Sequence, residues 1–397
     1  MNMSKNRRVF VAAFNKEWSG HLKRAAKYAG ITLLLVVAAL AFMMIPPEHV
    51  PAGDQSGQWY AEGSLGVIET ALEFEDSSRP TAAYKDYTGS DSRIMTGRVW
   101  LPESQTPAPL VFYSHGFMSS HSEGEYLGRF LATRGYITVA VDFPLTGASA
   151  PAGPLVTDVI NQPQDVSFVL DQLLARNRDR NDSMYGRIDP LRVAAVGLSL
   201  GGLTTELVAF HSQLRDLRIR AAVSIAGPTA NMTRGFFSSR TLPFLMLAGS
   251  SDQIVPYTGN ALPILDKAPG AILVTLEAAS HSGFAAQAAG VFRFADHPDE
   301  WVCPSLVSNL ETGGEQPLLQ DDPEAGLVAQ TGVLPCQTDK FERAMRPAEQ
   351  VTLMRLVVYS FLETELAASD ERRKSAEHFL MEVLPAENPE VKVAVST

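Results

Sequence analysis

The chain has 397 residues, 45% of them hydrophobic, and a formal net charge of −11. This length and apolar content suffice for a sizeable core, built as one large domain or two smaller ones. Residues 1–28 hold seven basic residues and one acid, so the remainder carries −17. A body this acidic argues against a nucleic-acid partner, because it would repel phosphate.

The N-terminal region joins the basic segment, residues 1–28, to an uncharged run, AGITLLLVVAALAFMMI, at residues 29–45. The run is near the lower length limit for a helix that spans a bilayer. The positive-inside rule puts the basic segment in the cytoplasm and the body in the periplasm or outside the cell. We therefore expect a transmembrane anchor at 29–45 and a linker at 46–62. A cleaved signal peptide is the alternative, and the charged flank and the following Pro-Pro disfavour a buried core helix.

From residue 63 to about residue 385, short β-rich runs alternate with helical stretches. This alternation predicts one α/β domain, with a mostly parallel sheet and helices on both faces. Residues 386–397 are expected to be a tail. We expect strands at 93–101, 110–114, 137–141, 192–196, 221–225, 244–248 and 272–277, and helices at 123–134, 163–176, 200–211 and 345–366.

Residues 285–343 break this alternation, so we interpret them as an insertion between the last predicted strand and the final long helix. They contain Cys303 and Cys336, the two cysteines of the chain. In an oxidising compartment this pair predicts a disulfide, with two free thiols as the alternative. A zinc site is disfavoured, because only His297 lies near the pair and two cysteines supply too few ligands.

The stretch GLSLGG places Ser199 between two glycines, after a predicted strand and before a predicted helix. A bland tight turn fits this pattern, and so does a nucleophile elbow, in which small flanking residues allow the sharp corner. The helix that follows would point its free N–H groups at the reaction centre. Since the serine lies where a strand passes into a helix, we favour the elbow and predict Ser199 as the nucleophile.

A serine nucleophile needs a base and an acid that orients the base. In this fold class the chain order is serine, acid, histidine. Asp252 follows the predicted strand 244–248, and His281 follows the strand 272–277, so both belong in loops at the carboxyl edge of the sheet. We predict them as acid and base. Five other residues remain as rivals or as turn and structural groups: Asp142, Glu277, His115, His211 and His297.

Acyl transfer also needs hydrogen-bond donors for the oxyanion. The backbone N–H of Leu200, directly after the nucleophile, is one expected donor. The second is the backbone N–H of Phe117, because Gly116 permits the backbone twist that turns it inward. In this interpretation His115 is structural, and an ordinary strand–loop–helix joint is the alternative.

Five stretches together carry a resemblance to a known family: HGF, DVINQPQDVSFVLDQLL, GLSLGG, GSSDQIVP and ASHSGF. They resemble the α/β-hydrolase superfamily over residues 63–366. Within it the chain is similar to the dienelactone hydrolase and platelet-activating-factor acetylhydrolase-like branch, and more distantly to cutinase-like polyester hydrolases. The resemblance implies an α/β-hydrolase fold and a carboxylic ester hydrolase that uses Ser199, Asp252 and His281 as triad.

We therefore expect a membrane-anchored serine hydrolase that cleaves small or lipid-like esters through an acyl-enzyme and needs no cofactor or metal. Two alternatives remain open. A serine peptidase or amidase would use the same triad, and an inactive binding protein would keep the fold alone.

Overall fold

The computed structural model describes residues 26–38, 48–312, 318–328, 334–338 and 340–397. Part of the predicted anchor, residues 39–45, lies outside these ranges, and so do residues 1–25. Residues 26–38 form an exposed helix, α1. Among the described helices, none combines the length and apolarity that crossing a membrane requires.

The described residues build one nine-stranded sheet in the order β1-β2-β4-β3-β5-β6-β7-β8-β9. The six central strands, β3 to β8, run parallel to one another, while β1, β2 and β9 pair antiparallel at the edges. This confirms the expected α/β architecture with a mostly parallel sheet. The strands are β1 (Val67–Asp76), β2 (Arg93–Pro102), β3 (Ala108–Ser114), β4 (Ile137–Val141), β5 (Ile188–Leu198), β6 (Ile219–Ile225), β7 (Phe244–Gly249), β8 (Ile272–Leu276) and β9 (Val391–Val395).

Helices cover both faces of the sheet, because β3 to β8 are apolar on both sides and must be buried on both. On one face α3 and α10 pack over the sheet, and on the other α4 and α5 do so. The helices after α1 are α2 (Asp54–Tyr60), α3 (Glu125–Thr133), α4 (Gln162–Arg178), α5 (Leu200–Phe210), α6 (Arg234–Ser238), α7 (Ile264–Lys267), α8 (Ala288–Val291), α9 (Pro298–Thr312), α10 (Pro347–Leu366), α11 (Asp370–His378) and α12 (Leu384–Glu387).

The structure differs from the predicted boundaries at both ends of the domain. Residues 46–62 were expected to be a linker, yet they contain α2, whose Trp59 stacks on Phe379 at a ring distance of 4.6 Å. Residues 386–397 were expected to be a tail, yet they supply β9, which pairs with β8 and buries Val391. Both segments have apolar side chains that become buried only against distant parts of the chain.

Candidate active site

Ser199 lies at the sharp corner between the end of β5 and the start of α5. Its backbone has φ 57° and ψ −118°, and its N–H donates to Ile225 O at 2.7 Å. The flanking glycines make the corner possible. A Cβ at Gly201 would lie 2.0 Å from Ser114 O, and one at Gly197 would lie 2.0 Å from Gly201 O. The backbone geometry is that of a strained nucleophile elbow.

The structure brings His281 and Asp252 to this corner. His281 Nε2 lies 2.8 Å from Ser199 Oγ, and His281 Nδ1 lies 2.7 Å from Asp252 Oδ2. The other carboxylate oxygen of Asp252 accepts the N–H groups of Ile254 at 2.9 Å and Val255 at 2.7 Å. A carboxylate fixed in this way holds the proton on Nδ1 and leaves Nε2 free to accept the serine proton.

The electrostatic field around the imidazole favours its charged form. Burial alone would lower the pKa of His281, but the carboxylates of Asp252, Asp299 and Glu123 outweigh burial and raise it. Burial also raises the pKa of the Asp252 carboxyl, and the neighbouring imidazole works in the opposite direction. A positive imidazole is the species that exists once a base has taken a proton from serine, so this field suits that role.

The two predicted oxyanion donors flank the serine. Leu200 opens α5, and Phe117 belongs to the loop after β3, where a Cβ at Gly116 would lie 3.6 Å from Ser199 Cβ. The N–H groups on either side of Phe117 are used elsewhere: Gly116 donates to Glu123 Oε1 at 3.0 Å, and Met118 donates to a loop carbonyl at 2.9 Å. Neither Phe117 N–H nor Leu200 N–H donates to another group in the described ranges.

The rival residues have other surroundings. His115 is buried, donates from Nδ1 to the next residue's carbonyl and accepts the Phe143 N–H. Asp142 accepts from His121, and His211 accepts backbone N–H groups after α5. Glu277 is more than half exposed. None of these contacts reaches Ser199.

A cleft of about 280 Å³ opens beside Ser199. Its walls are mostly apolar, and α8 and α9 of the insertion form a large part of them. The Cys303–Cys336 disulfide, which the sequence predicts, is present and fastens α9 to the segment around residue 336. The apolar lining comprises Phe117, Leu198, Ile254, Ala285, Ala288, Val291, Phe292, Val302 and Leu306.

Two buried acids near the site escape prediction from the sequence. Glu123 anchors the loop after β3 through the Gly116 N–H and the Tyr113 hydroxyl. Asp299 accepts backbone N–H groups from the loops of Asp252 and His281. A single acid in a helical or inserted segment carries no local signal. The Glu123 contacts depend on how the loop after β3 turns back on itself, and the Asp299 contacts form only when α9 meets two loops that are distant in sequence. Among the described residues, no cluster of His, Cys, Asp or Glu offers a metal site.

At the carboxyl edge of a parallel sheet, a serine on a strained elbow is hydrogen-bonded to a histidine, and that histidine is hydrogen-bonded to a buried acid. This arrangement defines a serine hydrolase of the α/β-hydrolase superfamily. Comparison with known proteins narrows this class. The profile of the PET hydrolase-like family matches residues 72–297, and the chain belongs to this family. It is therefore a carboxylic ester hydrolase of the serine type.

Several cutinases are similar to this chain. A cutinase of Thermobifida fusca (strain YX) is 26% identical over 254 residues, covering 62% of this chain and 77% of the cutinase. Cutinase 1 of Thermobifida cellulosilytica is 26% identical over 222 residues, covering 54% and 77%. Cutinase cut1 of Thermobifida fusca is 22% identical over 284 residues, covering 70% and 79%. These relatives confirm the polyester hydrolase side of the resemblance, while the dienelactone hydrolase branch stays a prediction.

Proposed function

We propose that Ser199, His281 and Asp252 form the catalytic triad of this ester hydrolase. Ser199 Oγ attacks the ester carbonyl carbon as its proton passes to His281 Nε2. The imidazolium then protonates the leaving alcohol, and the acyl group stays on Ser199 Oγ. Water, deprotonated by the same imidazole, releases the acid and regenerates the serine. Two hydrogen bonds carry this proposal: Ser199 Oγ to His281 Nε2 at 2.8 Å, and His281 Nδ1 to Asp252 Oδ2 at 2.7 Å.

The N–H groups of Phe117 and Leu200 would bind the oxyanion of the tetrahedral intermediate. The proposal is supported by their position beside Ser199 and by the lack of another acceptor for them among the described residues. Donors that are already oriented stabilise the developing charge without reorganisation.

The substrates we propose are esters with an apolar acyl or alcohol part, small or lipid-like, and polyesters of the kind that cutinase relatives are named for. The lining of the cleft supports this choice, since most of its residues are apolar and none of the described residues that line it is a Lys or Arg that would bind an anionic substrate.

The test measures hydrolysis of p-nitrophenyl esters of increasing acyl length beside matched p-nitroanilides. We expect ester cleavage by the wild-type chain, with kcat lowered by about 10⁶-fold in Ser199→Ala and His281→Ala and by about 10⁴-fold in Asp252→Asn. His378→Ala, on exposed α11, is the matched control and should be unchanged. Anilide cleavage that equals ester cleavage would favour an amidase. Full activity of Ser199→Ala would overturn the triad.

We also propose the expected arrangement in the cell: residues 1–28 in the cytoplasm, an anchor at 29–45, and the catalytic domain in the periplasm or outside the cell. A cleaved leader is the competing arrangement. The support is the basic and then uncharged N-terminal sequence together with a disulfide in the domain, because disulfides persist in oxidising compartments.

A further inference from the structure

Asp299 is a fully buried acid in the first turn of α9, just beyond the part of the chain that matches the PET hydrolase-like family. Its carboxylate accepts three backbone N–H groups. Gln253 N–H and His281 N–H both donate to Oδ2 at 3.1 Å, and Ser282 N–H donates to Oδ1 at 2.7 Å. One side chain therefore holds the loop of the proposed acid and the loop of the proposed base.

His297 extends this attachment. Asp299 N–H donates to His297 Nδ1 at 3.3 Å, so the ring proton lies on Nε2, which donates to Ser251 O at 3.1 Å. Ser251 and Gln253 are the residues on either side of Asp252. The loop of the proposed acid is thus held at two neighbouring points by the start of α9.

The disulfide gives the same loop a third attachment. Cys336 N–H donates to Gln253 O at 2.6 Å, and Cys336 is bonded to Cys303 in α9. Because Gln253 is fixed through both its N–H and its carbonyl, the backbone that carries Asp252 has little freedom to shift relative to His281.

Asp299 also acts through its charge. It forms no ion pair with a Lys or Arg side chain in the described ranges. Three carboxylates face His281: Asp252 from the loop after β7, Asp299 from α9, and Glu123 from the turn before α3. Each raises the pKa of His281, so loss of the Asp299 charge lowers that pKa.

We propose that Asp299 is a positioning residue for ester hydrolysis, one that fixes the acid and base loops against each other and stabilises the imidazolium. This inference rests on the triad proposed above. Misplacing a catalytic group by about 1 Å costs on the order of a hundredfold in rate, so a residue that sets the Asp252–His281 geometry acts on kcat.

The test compares Asp299→Asn with Glu300→Gln, which removes a charge from an exposed neighbour in the same turn of α9. An asparagine cannot accept all three N–H groups, since its amide nitrogen is a donor. For Asp299→Asn we expect kcat on p-nitrophenyl butyrate to fall roughly tenfold to a hundredfold while KM stays within about threefold. The acid limb of the kcat/KM profile should move to lower pH. Glu300→Gln should match wild type in all three quantities.

Two outcomes would overturn the proposal. One is an Asp299→Asn enzyme with wild-type kcat and an unmoved acid limb. The other is failure of both Asp299→Asn and Asp299→Ser to fold, judged by thermal unfolding, while Glu300→Gln folds, because the carboxylate would then be needed for the fold itself. Failure of the underlying triad is recognised separately, by retained activity of Ser199→Ala.

Discussion

The backbone of Ser199 shows how a single residue is held in a costly conformation. A non-glycine residue at φ 57° and ψ −118° lies outside the common regions, and such strain costs on the order of 1–3 kcal/mol. The bond from Ser199 N–H to Ile225 O and the close approach of Gly201 to Ser114 keep the corner in place. In this conformation Ser199 Oγ lies 2.8 Å from His281 Nε2.

Glu206, two turns further along α5, is a buried acid that the proposed reaction does not use. Ser224 Oγ donates to its Oε1 at 2.7 Å, and its Oε2 has no partner among the described residues. Burial raises its pKa well above 4.5, although the Ser224 hydroxyl and the charge of Lys267 counteract this. The folded chain therefore holds this proton more tightly than the unfolded chain does.

Because the pKa of Glu206 is raised on folding, stability falls as pH rises from about 4.5 through the folded-state value. One such group contributes at most about 1.4 kcal/mol per pH unit. We expect Glu206→Gln to reduce the loss of unfolding free energy between pH 5 and pH 8, measured by urea denaturation. The exposed Glu371→Gln is the control. An equal loss in wild type, Glu206→Gln and Glu371→Gln would contradict this account.

At the scale of elements, the joint between β5 and α5 depends on the absence of a side chain at Gly201. We expect Gly201→Ala to lower stability by about 1–3 kcal/mol and to lower kcat sharply, because its Cβ would meet the Ser114 carbonyl at 2.0 Å and push α5 away from β3. Thermal unfolding and ester hydrolysis measure the two effects. Gly57→Ala in α2 is the control, since no atom lies within 4 Å of its Cβ, and it should be neutral or stabilising. Equal effects of the two substitutions would refute the explanation.

Most of the strands that the sequence predicts are those whose own residues specify burial on both faces. The runs that become β3 to β8 are almost continuously apolar, so each one predicts a strand without its neighbours. The edge strands β1 and β9 are half exposed, with charged residues on the outer face, and the sequence does not predict them. What makes them strands is pairing with β2 and with β8, residues distant in sequence, and no local pattern contains that information.

At the scale of the whole molecule, some residues of the site can be predicted from local sequence and others cannot, because their contacts are with distant parts of the chain. The meeting of Ser199, Asp252 and His281 could be predicted because each follows a strong strand, and a parallel sheet brings the carboxyl ends of its strands together. The place of Asp299 could not be predicted, because its contacts exist only once the insertion has folded back over two loops of the sheet. The insertion therefore contributes both a wall of the cleft and an anchor for the proposed acid and base.

The first and last segments of the domain also contact each other. This contact shows that the domain begins near residue 48, after the predicted anchor. Ala52 N–H donates to Asn388 Oδ1 at 3.1 Å, Ser56 N–H donates to Glu387 at 2.7 Å, and Trp59 stacks on Phe379. Residues 48–62 thus belong to the domain, although the sequence suggested a linker.

We expect a chain that begins at residue 48 to keep the melting temperature and ester hydrolysis of the full chain, because the contacts of α2 are retained. A chain that begins at residue 63 should lose about 2–4 kcal/mol of stability, since it exposes the surface that Trp59 covers and leaves Asn388 without the Ser56 hydroxyl. Thermal unfolding measures this loss, and Trp59→Ala in the chain from residue 48 should reproduce most of it. Equal stability of the two shortened chains would show that α2 is dispensable.

Fractionation of expressing cells tests the predicted anchor. The full chain should sediment with membranes, and the chain from residue 48 should stay in solution. A full chain that stays in solution would refute the anchor.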